Sequence, residues 1–147
     1  MYRFKVSVVK VVDGDTVDVD IDLGFGMTYK KQRVRMLGID TPESRTRDLV
    51  EKKFGKASKA HLKEILERPF DIELVSHDKG KFGRILGDIE LEETRMIGRE
   101  ITESTSLVMK MIDNGYGVEY NGQSKELIQE AHLKNRDRLI KKGVVDG

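Results

Sequence analysis

Strict alternation of apolar and polar residues between Thr16 and Leu23 is the feature that most restricts how this chain can fold. The apolar positions are Val17, Val19, Ile21 and Leu23, and the residues between them are a threonine and three aspartates. A repeat of two places successive side chains on opposite faces of a β-strand. The segment is therefore predicted to be a strand with one face in a core and the other face in solvent.

The aspartates of this strand have the spacing that begins a calcium-binding EF-hand loop; they are Asp18, Asp20 and Asp22. That loop requires glycine at its sixth position and glutamate at its twelfth. Leu23 and Tyr29 stand at those positions. The alternating valines explain the aspartates better, and we interpret them as the solvent face of the strand.

Further periodic segments predict a small barrel with helices. Strands are expected around Phe4–Val11, over Gln32–Ile39, from Phe70 onward and around Ile85–Leu91. Helices are expected over Arg47–Glu67, around Leu107–Ile112 with Thr102, Ser104 or Thr105 as N-cap, and over Ser124–Lys142. Val9 breaks the alternation of the first strand, which indicates either a bulge or a strand buried on both faces. Gly55 indicates that the first turns of the first helix are separate. The expected fold is mainly β with α: one domain over residues 1–147, a five-stranded OB-fold-type barrel with about three helices.

Composition limits the classes of partner. The net charge is only +1 although 36% of the residues are charged, so a phosphate-binding surface would have to be local. Cysteine is absent, which excludes disulfides and thiolate metal sites. No segment is apolar enough to span a bilayer, and Met1–Lys5 does not resemble a signal peptide. We expect a cytoplasmic monomer that does not bind membranes, and secretion after removal of a signal peptide stays open.

Two short motifs place carboxylates at predicted strand ends. They are Asp13-Gly14-Asp15-Thr16 and Ile39-Asp40-Thr41-Pro42-Glu43. Hard cations such as calcium bind carboxylate and carbonyl oxygens, and Asp15 and Asp40 would reach one ion if their strands were neighbours. Spacing alone leaves a second interpretation open, in which the first motif is a turn and the second ends a strand.

Two arginine-containing segments are candidates for phosphate recognition. Arg35 lies in a strand five residues before Asp40, where it either forms a salt bridge in the barrel or presents its planar donor group to a phosphate. The later segment is Lys81-Phe82-Gly83-Arg84. Its phenylalanine offers a face to a base, its glycine permits close backbone approach, and Arg84 offers a second donor fork. Lys81 and Phe82 are the candidate substrate-binding residues.

The order of these motifs resembles the staphylococcal nuclease family. Asp-Gly-Asp-Thr, an arginine five residues before Asp-Thr-Pro-Glu, and Phe-Gly-Arg in a later strand follow one another over roughly residues 6–142. The resemblance implies calcium-dependent hydrolysis of phosphodiester bonds in DNA and/or RNA that leaves 3′-phosphate ends.

The same resemblance implies a role for each matched residue. Asp15, Asp40 and the carbonyl of Thr41 match the calcium ligands, with a weaker case for Asp13. Glu43 matches the residue that orients or deprotonates the attacking water. Arg35 and Arg84 match the arginines that bind the scissile phosphate.

The chain also departs from the family pattern. Phe82 stands where tyrosine is common, and the segment from Leu91 to Glu103 looks longer, as an extended hairpin or a mobile loop. Tyr116 and Tyr120 are candidates for a second aromatic wall, whereas the three histidines match no catalytic position. A catalytically silent OB-fold module that binds nucleic acid is the alternative, but every matched side chain that catalysis requires is present.

Overall fold

The computed structural model describes residues 2–68, 71–79, 83–96 and 98–146, without the side chains of residues 78, 79, 94–96, 100 and 101. Its strands are β1 (Tyr2–Asp13), β2 (Thr16–Gly24), β3 (Met27–Met36), β4 (Ile39–Asp40), β5 (Asp71–Lys79), β6 (Ile85–Met96), β7 (Glu100–Ser106) and β8 (Val118–Glu119). Its helices are α1 (Leu49–Leu66), α2 (Leu107–Asp113) and α3 (Lys125–Lys141).

Five strands close into a barrel in the order β3-β2-β1-β5-β6, and β6 returns to β3 through a parallel pairing. The predicted OB-type barrel with three helices is therefore confirmed. The alternation of β2 explains its place in the wall, because Val17, Val19 and Ile21 are buried while the aspartates that alternate with them are more exposed. The register of β1 shifts between Val8 and Lys10, as expected for a bulge, which was one of the two alternatives for this strand.

Several helices and strands begin or end at residues other than the predicted ones. The third strand begins earlier, at Met27, and ends at Met36, because Gly38 has a φ of 82° and turns the chain before β4 begins. The extended segment after Leu91 is the hairpin of β6 and β7, and a hairpin was one of the two expected forms. Thr102, Ser104 and Thr105 lie in β7 rather than at a helix start, and Ser106 caps α2 instead. Phe70 and Gly80 lie outside the described residues.

Helix α1 is continuous through Gly55, so the prediction of separate first turns is wrong. Asp48 caps it through hydrogen bonds from the backbone N–H groups of Val50 and Glu51. Leu62 and Ile65 are fully buried in the barrel core. No described helix is both long enough and apolar enough to cross a membrane.

Candidate active site

Arg35 connects the two carboxylate motifs. Its Nη2 lies 3.3 Å from Oδ2 of Asp15 and donates a hydrogen bond of 3.0 Å to the carbonyl oxygen of Ile39. Its Nη1 donates to the carbonyl of Met36. The guanidinium group therefore lies between the Asp15 turn and the residue that precedes Asp40. The salt bridge is present, and phosphate recognition by Arg35 stays a prediction.

The turn between β1 and β2 fixes the Asp15 carboxylate. Oδ1 of Asp15 accepts a hydrogen bond of 2.9 Å from the hydroxyl of Thr16, and the backbone carbonyl of Asp15 accepts one of 2.9 Å from Met36. The Asp13 carboxylate instead accepts from the backbone N–H of Gly14 at 3.0 Å. Asp13 thus stabilises the turn, which agrees with its weaker case as a ligand.

Asp40 is held from the opposite side by His132. Backbone pairing of Asp40 with Val118 joins β4 to β8, and Nε2 of His132 on α3 lies 2.7 Å from Oδ2 of Asp40. Because an ionised carboxylate only accepts, Nε2–H of His132 is the donor. The His132 side chain is 9% exposed and that of Asp40 is 38% exposed, so the histidine holds one oxygen and solvent reaches the other part of the group. Sequence reasoning gave His132 no role here.

Helix α1 supports the backbone on which Glu43 stands. A Cβ atom added to Gly55 would lie 2.2 Å from the carbonyl oxygen of Glu43 and 2.6 Å from the nitrogen of Ser44. Such distances mean that the two backbones touch, and only glycine permits this approach. The Glu43 side chain itself is exposed.

A second close contact seats the Asp15 turn on the same helix. A Cβ atom on Gly14 would lie 2.9 Å from Cβ of Ser58 and 3.1 Å from Cβ of Thr41. The turn, the β4 end and α1 therefore meet at one place. Oγ1 of Thr41 is buried there and has no hydrogen-bond partner among the described residues.

Arg84 lies directly before β6, the strand that pairs with β3. It precedes Ile85, which pairs with Val34, the residue before Arg35. The Arg84 side chain is half-buried and its Nε has no hydrogen-bond partner in the described part of the chain. An unpartnered buried donor is costly, which suits a group that receives its acceptor from a ligand. The candidates Lys81 and Phe82 lie outside the described residues.

The oxygen donors fit a hard cation better than a transition metal. Within the described ranges, no three His, Cys, Asp or Glu side chains are grouped closely enough to hold a metal by themselves. The candidate set is instead two carboxylates, of Asp15 and Asp40, with the Thr41 carbonyl. The orphaned Thr41 hydroxyl marks the same place as polar and incompletely satisfied. Carboxylate and carbonyl oxygens completed by water are typical of calcium and magnesium.

Other candidates have protein partners. Arg33 pairs with Asp18 at 2.9 Å, and the carboxylates of Asp20 and Asp22 accept from backbone N–H groups, as expected for the outer face of a strand. Tyr116 stacks on His61 with 3.9 Å between ring centroids, and burial lowers the pKa of His61.

Tyr120, which is 48% exposed, lines a cavity of about 600 Å³ beside Asp40 and His132. Tyr116 lines a separate, smaller pocket with Pro42, Ser58 and His132.

The closed barrel and the motifs gathered at its strand ends define an OB-type barrel protein with a staphylococcal-nuclease-like domain. The chain belongs to the family described as staphylococcal nuclease homologue, whose model matches residues 33–144.

Three relatives are similar to part of the chain. The thermonuclease of Staphylococcus hyicus is 33% identical over 86 residues, 58% of this chain and 47% of that protein. The thermonuclease of Staphylococcus intermedius is 33% identical over 83 residues, 56% of this chain and 46% of that protein. An uncharacterized protein of Bacillus anthracis is 37% identical over 86 residues, 56% of this chain and 36% of that protein. The chain spans about half the length of the two thermonucleases.

Proposed function

We propose that this protein is a calcium-dependent nuclease that hydrolyses phosphodiester bonds of DNA and/or RNA and leaves 3′-phosphate ends. The observation that carries the proposal is the position of Arg35, whose guanidinium group contacts Asp15 and the carbonyl of Ile39 at once. Residues far apart in the sequence thereby form one polar cluster at the barrel end. Membership of the nuclease homologue family and similarity to two thermonucleases support the same activity.

Asp15, Asp40 and the Thr41 carbonyl would hold the calcium ion. A bound calcium ion would neutralise the phosphodiester and help to present a water molecule. The protein's part is to keep its ligands in place before the ion arrives. Thr16 and Arg35 fix the carboxylate of Asp15, and His132 fixes that of Asp40.

Arg35 and Arg84 would stabilise the negative charge that accumulates on the phosphoryl oxygens in the transition state. Two backbone carbonyls hold the Arg35 guanidinium group, so it is oriented before substrate binds. Arg84 Nε lacks an acceptor among the described residues, and a phosphate oxygen would supply one. Arg35 would thus be oriented in advance, whereas Arg84 would gain its hydrogen-bond acceptor only when the substrate binds.

Glu43 would orient the attacking water or take its proton. Its carboxylate is exposed to solvent while its backbone is clamped against Gly55. That arrangement leaves the side chain accessible to a water molecule and fixes the backbone position from which the side chain extends. Nuclease activity therefore depends on the α1 contact as well as on the carboxylate.

The test is cleavage of plasmid and single-stranded DNA and of RNA with calcium, with magnesium and with excess chelator. We expect calcium to support cleavage better, because magnesium requires a near-ideal octahedron and releases water reluctantly. Products with 3′-phosphate ends would be extended by a polymerase only after treatment with a phosphatase. Undiminished cleavage in chelator would refute the metal requirement. Nucleic-acid binding without cleavage under every condition would instead support the silent binding module.

A further inference from the structure

Helix α1 carries a row of lysines along one side, which we call the α1 lysine stripe. Its members are Lys52, Lys56, Lys59 and Lys63. Spacings of four, three and four residues place these side chains on one face of a helix. At about 1.5 Å per residue the stripe is about 16 Å long.

The end of the stripe meets the barrel wall at a shallow cavity of about 510 Å³. The cavity is lined by Val8, Val9, Lys10, Val11, Lys59, Lys63, Leu66 and Glu67. Lys10 is exposed on β1 and extends the positive row from the helix onto the sheet. The lining thus combines three lysines and one glutamate with four apolar side chains, of three valines and one leucine.

None of the five lysines forms an ion pair within 4 Å in the part of the chain that the structure describes. The ion pairs found there involve other basic residues, namely Arg3, Arg33, Arg35, Arg68, His132 and Lys134. In a chain with a net charge of only +1, this row is a local concentration of positive charge, with Glu67 at its edge.

The stripe adjoins the candidate active site. Lys56 follows Gly55, whose backbone touches that of Glu43, and Lys59 follows Ser58, which touches the Asp15 turn. Successive residues of a helix differ by about 100° in direction, so the lysines lie on the side next to the face that seats these two loops. The stripe therefore lies on the same helix as the residues that contact the two loops of the candidate site, about 100° round from them.

We propose that the α1 lysine stripe and Lys10 bind the phosphodiester backbone of a nucleic acid outside the site of cleavage and retain long substrates. This inference rests on the proposed nuclease function. A length of about 16 Å corresponds to about five base-pair steps along the axis of a duplex, at 3.4 Å per step. Ammonium groups on flexible stems suit sequence-independent phosphate contacts. The surface would therefore favour long over short substrates without favouring a base sequence.

The test compares two variants that each lose three exposed lysines. The stripe variant carries Lys10→Gln, Lys56→Gln and Lys63→Gln. The control variant carries Lys134→Gln, Lys141→Gln and Lys142→Gln on and after α3. Circular dichroism and thermal melting verify that both are folded. Arginine at the three stripe positions restores the charge and should restore the binding.

Binding is measured by fluorescence anisotropy with 30-nucleotide single strands and 30-base-pair duplexes over a salt series, in a Glu43→Gln background that slows cleavage. We expect the stripe variant to bind at least tenfold more weakly than the control. Its slope of log K against log salt should be smaller by about 2–3, since three phosphate contacts are lost. Cleavage with Glu43 intact should show kcat/KM reduced at least tenfold on long DNA and unchanged on a trinucleotide.

Equal affinities and salt slopes in the two variants would overturn the proposal. An equal loss of kcat/KM on long DNA and on the trinucleotide would also overturn it, because the lysines would then act at the reacting centre. Binding of anionic vesicles but of no nucleic acid would assign the stripe to a lipid surface and overturn it too. If the parent protein cleaves nothing, the nuclease proposal fails, yet the anisotropy comparison still decides whether the stripe binds nucleic acid.

Discussion

Replacement of Gly55 by alanine tests whether α1 positions the loop that carries Glu43, the proposed water-activating residue. In an exposed helix interior this change stabilises a protein by about 0.5–1 kcal/mol, because alanine loses less backbone entropy on folding. Here the new Cβ would lie 2.2 Å from the carbonyl oxygen and 2.3 Å from the carbonyl carbon of Glu43. The atoms that it meets are backbone atoms, so no side-chain rotation can relieve the overlap.

The size of the effect follows from this overlap. Carbon–oxygen contacts lie at about 3.3–3.6 Å even when they are favourable, so Glu43 must move by about 1 Å. Overpacking of this kind costs about 1–3 kcal/mol, which exceeds the gain in helix propensity. A misplacement of about 1 Å in a catalytic group can reduce the rate by about 10²-fold. We therefore expect a modest loss of stability together with a large loss of turnover.

The control is Ile65→Val on the same helix, which should cost about 0.5–1.5 kcal/mol through a small cavity and leave Glu43 in place. Unfolding in urea gives the free energy of unfolding of each variant, and single-turnover cleavage at saturating DNA and calcium gives the rate. The reasoning predicts that Gly55→Ala loses far more activity than Ile65→Val at comparable stability. A Gly55→Ala variant that is more stable than the parent and cleaves at the parent rate would refute the close approach.

Substitutions at four further residues test individual side chains that are proposed to act at the site. His132→Ala should weaken calcium binding to Asp40 by about 10–100-fold in titration calorimetry, and His132→Gln, which keeps a donor, should lose less; equal affinities would assign His132 to packing alone. Arg35→Lys should lower the single-turnover rate by about 10²–10³-fold, because lysine lacks the planar donor fork, and Glu43→Gln should also lower the rate. Folded variants that cleave at the parent rate would disprove these roles. Phe82→Ala should weaken binding of single strands by about 1–3 kcal/mol in anisotropy, whereas unchanged binding would show that the ring does not stack.

The barrel was predictable because its signals are local. Alternation in β2 needs only a few neighbouring residues, and the burial of Val17 and Val19 follows from it directly. The last helix was expected over Ser124–Lys142, and α3 runs over Lys125–Lys141 with the hydroxyl of Ser124 accepting from the N–H of Leu127. The third strand was misjudged because Leu37 and Ile39 look like its continuation. Gly38 breaks the strand between them, and its positive φ is a property of the folded backbone.

The contacts within the site were less accessible, because they depend on long-range geometry. Motif order placed Asp15, Arg35 and Asp40 near one another only through a family resemblance. The donor to Asp40 is His132, and these residues are separated by 92 positions with no pattern connecting them. Gly55 was predicted to interrupt the helix, because glycine is unfavourable inside a helical pattern. Its actual contact is with the backbone of Glu43 and Ser44, which the helical pattern does not contain.

The structure makes α1 the spacer between two parts of the candidate site. Gly55 contacts the Glu43 backbone and Ser58 contacts the Asp15 turn, and these positions are about 4.5 Å apart along the helix axis. Because a helix is stiff over one turn, Glu43 and Asp15 keep a fixed relation to each other. Asp40 is held in addition by β8 and by His132 of α3. We therefore infer that the packing of α1 relative to α3 helps to set the distance between the proposed water-activating carboxylate of Glu43 and the proposed metal ligand Asp40.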